Sequence, residues 1–249
     1  MRRRLATGLV LAGCLIFSQA FAQADYAREQ RWADEITPAI LVGDAVPLAL
    51  PTGRKFLGIY APNDKARAGI VLVHGLGMHP DWSVVHPLRS QLSEQGYATL
   101  SVQMPVMAAG VPGDQYSPLF PEAAARIAAA VQYLRNKGHA KIVIVSHSYG
   151  ARMTNVLLNQ PDAPAINAWV SIGITGEYSE PATFKAPVLD LYGEHDFPGV
   201  LELAAKRAAA IKTVRGSAQV RVAGADHFFN GMDNELVRNV KLFLDRVTR

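Results

Sequence analysis

The sequence predicts a single α/β domain with a mainly parallel, doubly wound sheet and helices on both of its faces. Apolar, β-branched runs alternate with helical patterns from residue 55 to the end of the chain, and this alternation is typical of parallel sheets with crossover helices. The runs 70–73 and 142–145 are apolar at every position, as expected for strands covered on both sides. Neither a linker nor an internal repeat divides the 249 residues, so one domain is expected.

The strands and helices of this fold each have a local signal. Apolar residues recur at helical spacing after Pro121 until Gly138 ends the pattern, and a last helix with one apolar face is predicted over 236–247. The run 39–50 is a candidate for a further strand at the edge of the sheet. In such a sheet, reactive residues gather at the carboxyl ends of the strands. The predicted strands are 55–60, 69–73, 98–103, 141–145, 168–173, 188–192 and 219–222.

Residues 1–24 have the organisation of a secretory signal peptide. Three arginines at positions 2–4 precede the apolar run 5–17, and small residues suitable for cleavage after Ala22 or Ala24 follow it. The thirteen residues of the apolar run are too few to cross a hydrocarbon core of about 30 Å, so no stable membrane span is expected. We therefore expect an exported protein, periplasmic or secreted, with its mature domain over 25–249.

Cys14 leaves a second form of export open. The tetrapeptide 11–14 reads Leu-Ala-Gly-Cys and resembles the lipobox of bacterial lipoproteins, which would anchor the protein through an acylated Cys14. Ordinary cleavage is favoured because the apolar run continues past this cysteine. Cys14 is the only cysteine of the chain, so ordinary cleavage leaves no disulfide and no cysteine nucleophile in the mature protein.

Composition and charge argue against a nucleic-acid partner. Of the residues, 49% are apolar and 18% are charged, as in ordinary globular domains. The formal net charge is +4, but three of the 25 basic side chains belong to the leader, and the other 22 stand against 21 acidic ones. Beyond the leader no run rich in lysine or arginine is present, and such a run is the usual footprint of nucleic-acid binding.

The pentapeptide 146–150, Ser-His-Ser-Tyr-Gly, lies between a predicted strand and a helical pattern. Its small residues on either side of a central serine permit a strained turn that raises the Ser148 hydroxyl above the sheet. The segment resembles the nucleophile elbow of the alpha/beta-hydrolase superfamily, with Ser146 where glycine is commonest. The following helix N-terminus favours negative charge that develops at Ser148. The resemblance identifies Ser148 as a candidate nucleophile.

A glycine-containing loop at 74–77, His-Gly-Leu-Gly, follows the predicted strand 69–73. It is similar to the oxyanion-hole loop of the same superfamily, in which glycines let backbone N–H groups turn toward the reacting carbonyl oxygen. The resemblance assigns one donor to the N–H of Leu76 and the other to the N–H of Tyr149, the residue after the nucleophile.

Two further loops after strands supply a candidate acid and a candidate base. The turn 193–196 reads Gly-Glu-His-Asp and resembles the superfamily's acid turn, which nominates Asp196, with Asp190 and Glu194 as alternatives. His227 follows the last strand and matches the position of the base. The order serine, aspartate, histidine along the chain is the order of this fold.

The resemblance covers about residues 55–249 and is strongest to the small dienelactone-hydrolase-like enzymes. The chain also resembles a group of exported bacterial members whose function is not established, most of all over 103–123. The resemblance implies a serine hydrolase that cleaves small-molecule carboxylic esters through an acyl-enzyme and needs no cofactor or metal. Short acyl groups are expected because neither 105–120 nor 174–185 reads as a long amphipathic lid.

Several alternatives remain open at this stage. A peptidase or a thioesterase would use the same triad, and a binding protein without activity could share the fold. A metal hydrolase could draw on His195, Asp196, Asp226 and His227, although their spacing matches no known metal motif. The sequence leaves the natural substrate and the oligomeric state undetermined.

Overall fold

The structure is a computed structural model that describes residues 24–179 and 184–249. Its centre is an eight-stranded sheet with the order β1-β2-β4-β3-β5-β6-β7-β8. Strand β2 pairs antiparallel with β1 and with β4, and the pairs from β4 to β8 are parallel. The strands are β1 Asp44–Ala49, β2 Lys55–Ala61, β3 Gly69–Val73, β4 Ala98–Val102, β5 Ile142–His147, β6 Ala168–Ile172, β7 Val188–His195 and β8 Ala218–Asp226.

Helices occupy most of the connections between these strands. Two short 3-10 helices, Thr37–Ala39 and Gly113–Leu119, accompany them. The α-helices are α1 Tyr26–Ile36, α2 Val85–Glu94, α3 Phe120–Asn136, α4 Tyr149–Leu158, α5 Pro198–Leu201, α6 Ala204–Ile211 and α7 Asp233–Val247. Within residues 24–179 and 184–249, no helix has the length and apolar character needed to cross a membrane.

Alternate residues of the central strands belong to two different apolar clusters. On β3, Val71 and Val73 pack in the cluster that contains the apolar residues of α3 and α4. Ile70 and Leu72 pack in the cluster that contains those of α2 and α7. Since successive side chains of a strand point to opposite faces, the sheet is covered on both sides. The predicted single-domain, doubly wound sheet is confirmed.

The N-terminal helix α1 was not expected from the sequence pattern. Among its residues only Glu29 is buried, so the helix has no apolar stripe that would reveal it. Polar contacts attach it instead: Arg126 of α3 is fully buried and binds the Glu29 carboxylate at 2.8 Å, while the Arg28 guanidinium donates to the Met107 carbonyl oxygen at 2.8 Å. Burial raises the pKa of Glu29, and the Arg126 guanidinium opposes that rise.

The remaining differences from the predicted elements are small. The edge strand expected within 39–50 is β1, and the predicted strands 188–192 and 219–222 are longer in the structure. The extra residues bring β7 and β8 side by side up to the pair His195–Asp226. The predicted signal peptide, residues 1–24, lies outside the described residues except for Ala24, so cleavage and the acylation of Cys14 stay predictions.

Candidate active site

Ser148 lies at a strained turn between β5 and α4. Its backbone has φ 55° and ψ −122°, a conformation that non-glycine residues adopt rarely and at an energetic cost. The Ser148 N–H donates to the Ile172 carbonyl oxygen at 2.8 Å, which ties the turn to the end of β6. The turn therefore holds the serine at the carboxyl edge of the sheet and at the N-terminus of α4.

The small residues around Ser148 are required by their neighbours. A methyl group on Gly150 would collide with the carbonyl oxygen of His74, so the β3 loop can pass only over a glycine. Ser146, which replaces the commoner glycine of this motif, is fully buried, and its Oγ accepts a hydrogen bond of 2.7 Å from the Trp169 indole. The hydroxyl at position 146 thus has a structural partner inside the sheet.

His227 lies between Ser148 and Asp196. Its Nε2 is 2.9 Å from the Ser148 Oγ, and its Nδ1 is 2.5 Å from the Asp196 Oδ1. Since an ionised carboxylate only accepts, Nδ1–H donates to Asp196 and Nε2 is free to accept the serine proton. Asp196 is only 5% exposed, and its Oδ1 also accepts the N–H of Phe197 at 2.8 Å. The three predicted residues form one continuous line of hydrogen bonds.

The approach of this aspartate to the histidine depends on Gly173, at the end of β6. A methyl group at position 173 would lie 3.1 Å from the His227 Nδ1 and 3.2 Å from the Asp196 Oδ2. Gly173 also has a φ of 55°, where other residues are strained. From the sequence, Gly173 was only the last residue of the predicted strand 168–173, and the strand ends one residue earlier, at Ile172, in the structure.

Asp190 and Glu194, the two alternatives to Asp196, face elsewhere. Asp190 is completely buried within β7 and accepts hydrogen bonds of 3.0 and 3.1 Å from the Arg207 Nε. Burial raises the pKa of Asp190, and the Arg207 guanidinium opposes that rise. Glu194 accepts the N–H of Gly224 at 2.9 Å and pairs with Arg221 at the surface.

The loop 74–77 lies directly against Ser148. A methyl group on Gly75 would lie 3.2 Å from the Ser148 Cβ. Within the described part of the chain, the backbone N–H groups of Leu76 and Tyr149 donate to no protein acceptor. Free N–H groups beside a nucleophilic serine are the donors that an oxyanion hole requires.

The side chain of His74 fixes this loop, a function that the sequence analysis did not assign. Its Nδ1–H donates to the Gly75 carbonyl oxygen at 2.8 Å, and its Nε2 accepts the N–H of Met104 at 2.9 Å. Burial lowers the pKa of His74 to about 3, so the imidazole stays neutral and one nitrogen remains an acceptor. His74 therefore joins the end of β3 to the end of β4.

His147, which precedes Ser148, is hydrogen-bonded to the backbone of His227. Its Nε2 lies 3.0 Å from the carbonyl oxygen of His227, and because a carbonyl only accepts, Nε2 carries the proton. Burial lowers the pKa of His147 to about 3. The sequence shows His147 only as a member of the pentapeptide 146–150, and its hydrogen-bond partner follows from the folded arrangement.

The residues considered for a metal do not converge. The Asp226 carboxylate caps its own turn, since its Oδ1 accepts the N–H groups of Phe228 and Asn230 at 3.0 and 3.1 Å. Asp196 is turned toward His227. Over residues 24–179 and 184–249, no three or more His, Cys, Asp or Glu side chains form a group that could hold a metal ion.

The insertion 105–120, which ends at the first residue of α3, packs onto the domain. Its large apolar side chains are buried in the cluster beneath α3 and α4; they are Met107, Tyr116, Leu119 and Phe120. The Tyr116 hydroxyl accepts the N–H of Met107 at 3.1 Å.

Comparison with known proteins identifies the fold. A family model described as "Protein of unknown function (DUF3530)" matches residues 41–125, and no curated protein sequence matches the chain. Among solved structures, Est1E from Butyrivibrio proteoclasticus is similar with a TM-score of 0.64 and 17% identity, over 81% of this chain and 98% of that one. The esterase Pf2001 from Pyrococcus furiosus has a TM-score of 0.67 and 16% identity, over 83% and 93%.

A third similar structure is a dienelactone hydrolase from Anabaena variabilis, with a TM-score of 0.66 and 20% identity over 82% of this chain and 97% of that one. At these identities the likeness concerns the fold. The chain has the alpha/beta-hydrolase fold, and the predicted resemblance to alpha/beta hydrolases of the dienelactone-hydrolase kind is confirmed. The family model that matches residues 41–125 describes proteins of unknown function.

Proposed function

We propose that this protein is a serine hydrolase that cleaves carboxylic esters with short acyl groups. The observation that carries the proposal is the line of hydrogen bonds from Ser148 through His227 to Asp196, with distances of 2.9 and 2.5 Å. A strained serine at a helix N-terminus, a neutral acceptor nitrogen and an orienting carboxylate are the parts that acyl transfer needs. Two of the proteins with similar folds, an esterase and a dienelactone hydrolase, support the same class.

In the proposed reaction, His227 takes the proton of Ser148 as Oγ attacks the ester carbonyl carbon. Asp196 holds the imidazole in the required tautomer and stabilises its cation. The N–H groups of Leu76 and Tyr149 donate to the oxyanion of the tetrahedral intermediate. His227 then protonates the departing alcohol, and an activated water releases the acid in a second, equivalent cycle.

The proposal is tested by labelling the purified mature protein with a fluorophosphonate and mapping the modified peptide. We expect a single adduct on Ser148. The Ser148→Ala variant should not take the label, and its ester turnover should fall by a factor of about 10⁴–10⁶. Its melting temperature should stay close to that of the wild type. Ser146→Ala is the matched control from the same turn: it loses the acceptor of Trp169 and some stability but keeps the label. An unlabelled wild-type protein would contradict the proposal.

The preference for short acyl groups follows from the insertion before α3, whose apolar side chains pack inward and offer long chains no docking face. We expect the highest kcat/KM for p-nitrophenyl esters of two to four carbons, with no increase above the micellar concentration. Maximal activity on long chains would contradict this part alone. Matched oxygen ester, thioester and amide substrates with one acyl group distinguish an esterase from a thioesterase or a peptidase.

Export of the mature domain is a further part of the proposal. It depends on the leader pattern of residues 1–24, in which three arginines precede an apolar run and two candidate cleavage sites. Intact-mass analysis of periplasmic material should give an N-terminus at Gln23 or Asp25. A diacylated Cys14 in the membrane fraction would instead establish a lipoprotein.

A further inference from the structure

An exposed aromatic ring lies directly on the imidazole of His227. The Phe197 ring is stacked on it with centroids 4.1 Å apart and an angle of 25° between the planes, yet the residue is 47% exposed. Phe228 stands nearly perpendicular to both rings, at 5.0 Å from His227 and 6.0 Å from Phe197. The two phenylalanines therefore present a face and an edge beside the base.

The position of Phe197 is fixed by the backbone around it. Its N–H donates to the Asp196 Oδ1 at 2.8 Å, and its carbonyl oxygen accepts the N–H of Val200 at 2.8 Å. Pro198 begins α5 immediately afterwards. One helical turn on, Leu201 is also exposed, at 37%. We name the surface that the rings of Phe197 and Phe228 form beside the imidazole the His227 flank.

The chemistry of the proposed reaction assigns an occupant to this flank. His227 must deliver a proton from Nε2 to the oxygen of the departing alcohol, so that oxygen lies within hydrogen-bond distance of the imidazole. The acyl oxygen is bound separately, at the N–H groups of Leu76 and Tyr149. Of the rings that contact His227, Phe197 is the most exposed, so it offers the carbon skeleton of the alcohol a surface beside the imidazole.

On this basis, and resting on the proposed esterase function, we infer that the His227 flank is the alcohol subsite and that it selects esters of flat, aromatic alcohols. Aromatic rings prefer the stacked and perpendicular arrangements that Phe197 and Phe228 offer together, and such pairs gain free energy beyond the burial of area. An aliphatic alcohol of the same size gains only the burial of apolar area.

Benzyl acetate and cyclohexylmethyl acetate test the inference because both release a primary alcohol of the same carbon skeleton, and only one of them is aromatic. They share the acetyl-enzyme, so their kcat/KM values report acylation alone. We expect Phe197→Leu to lower kcat/KM for benzyl acetate about three- to tenfold more than for cyclohexylmethyl acetate, since a leucine covers His227 but has no aromatic face. Phe197→Tyr should restore the preference.

The competing explanation is that Phe197 only shields the hydrogen bond between His227 and Asp196. In that case Phe197→Leu would slow both acetates equally and would slow fluorophosphonate labelling of Ser148 to the same degree, and this result would overturn the inference. Leu242→Ala, at an exposed apolar position on the remote helix α7 (61% exposed), is the control and should leave both rates unchanged. If the wild type cleaves neither acetate and takes no label, the proposed function itself fails, which is a different result from equal slowing.

Discussion

Two buried aspartates in the region of strand β7 bind different partners. Asp190 lies in the middle of β7 and Asp196 just beyond its end, and their exposures are 0% and 5%. The partner of Asp190 is Arg207, whose guanidinium only donates hydrogen bonds. The partner of Asp196 is His227, which can exchange a proton with Ser148 at 2.9 Å. Burial is thus common to both sites, and the partner decides which of them can do chemistry.

We expect the largest effect on turnover from Asp196→Asn. An amide can no longer hold His227 in the tautomer whose Nε2 accepts the serine proton, so kcat should fall by about 10⁴. Turnover of a p-nitrophenyl ester and thermal unfolding of the same sample check this. A folded variant with wild-type turnover would remove Asp196 from the proposed mechanism.

The corresponding change in the sheet interior, Asp190→Asn, should act on stability instead. It leaves the buried Arg207 guanidinium without a countercharge, which costs about 3 kcal/mol in the free energy of unfolding. Turnover per labelled Ser148 should stay within about twofold of the wild type, because no hydrogen bond joins Asp190 to His227. Denaturant unfolding and active-site titration measure the two quantities separately. Greater loss of turnover here than in Asp196→Asn would exchange the roles of the two aspartates.

The smallest predicted effect concerns His147, which lies below the reactive edge and stays neutral. The pKa of the His147 imidazole is 6.5 in the unfolded chain and about 3 in the folded protein. Above pH 6.5 it is neutral in both states and makes no pH-dependent contribution. As the pH falls toward 3, the unfolded chain takes up a proton that the folded protein excludes, so stability is lost at about 1.4 kcal/mol for each pH unit.

His147→Gln should remove this loss while its amide still donates to the His227 carbonyl oxygen. Relative to pH 7, the variant should therefore lose about 2 kcal/mol less unfolding free energy at pH 5 than the wild type does. Urea unfolding of both proteins at the two pH values measures the difference, in which the similar contribution of His74 cancels. Parallel curves would show that His147 titrates normally in the folded state.

The sequence by itself determined the features that are encoded over a few neighbouring residues. Continuous apolar runs such as 70–73 predicted strands covered on both faces, and the small residues around Ser148 predicted a strained turn, because periodicity and turn chemistry are local properties of the chain. Both are present in the fold. The order of Ser148, Asp196 and His227 was likewise readable, although their catalytic roles stay proposals.

Only the tertiary structure decided the pairings between distant residues. Helix α1 has no apolar stripe. It is attached through Glu29, whose carboxylate binds Arg126, 97 residues away in the sequence. His147 finds the carbonyl oxygen of His227 across 80 residues, and Phe197 covers the imidazole only because β7 and β8 end side by side. Such contacts depend on which strands become neighbours, and parallel strands with crossover connections bring together residues that no local pattern relates.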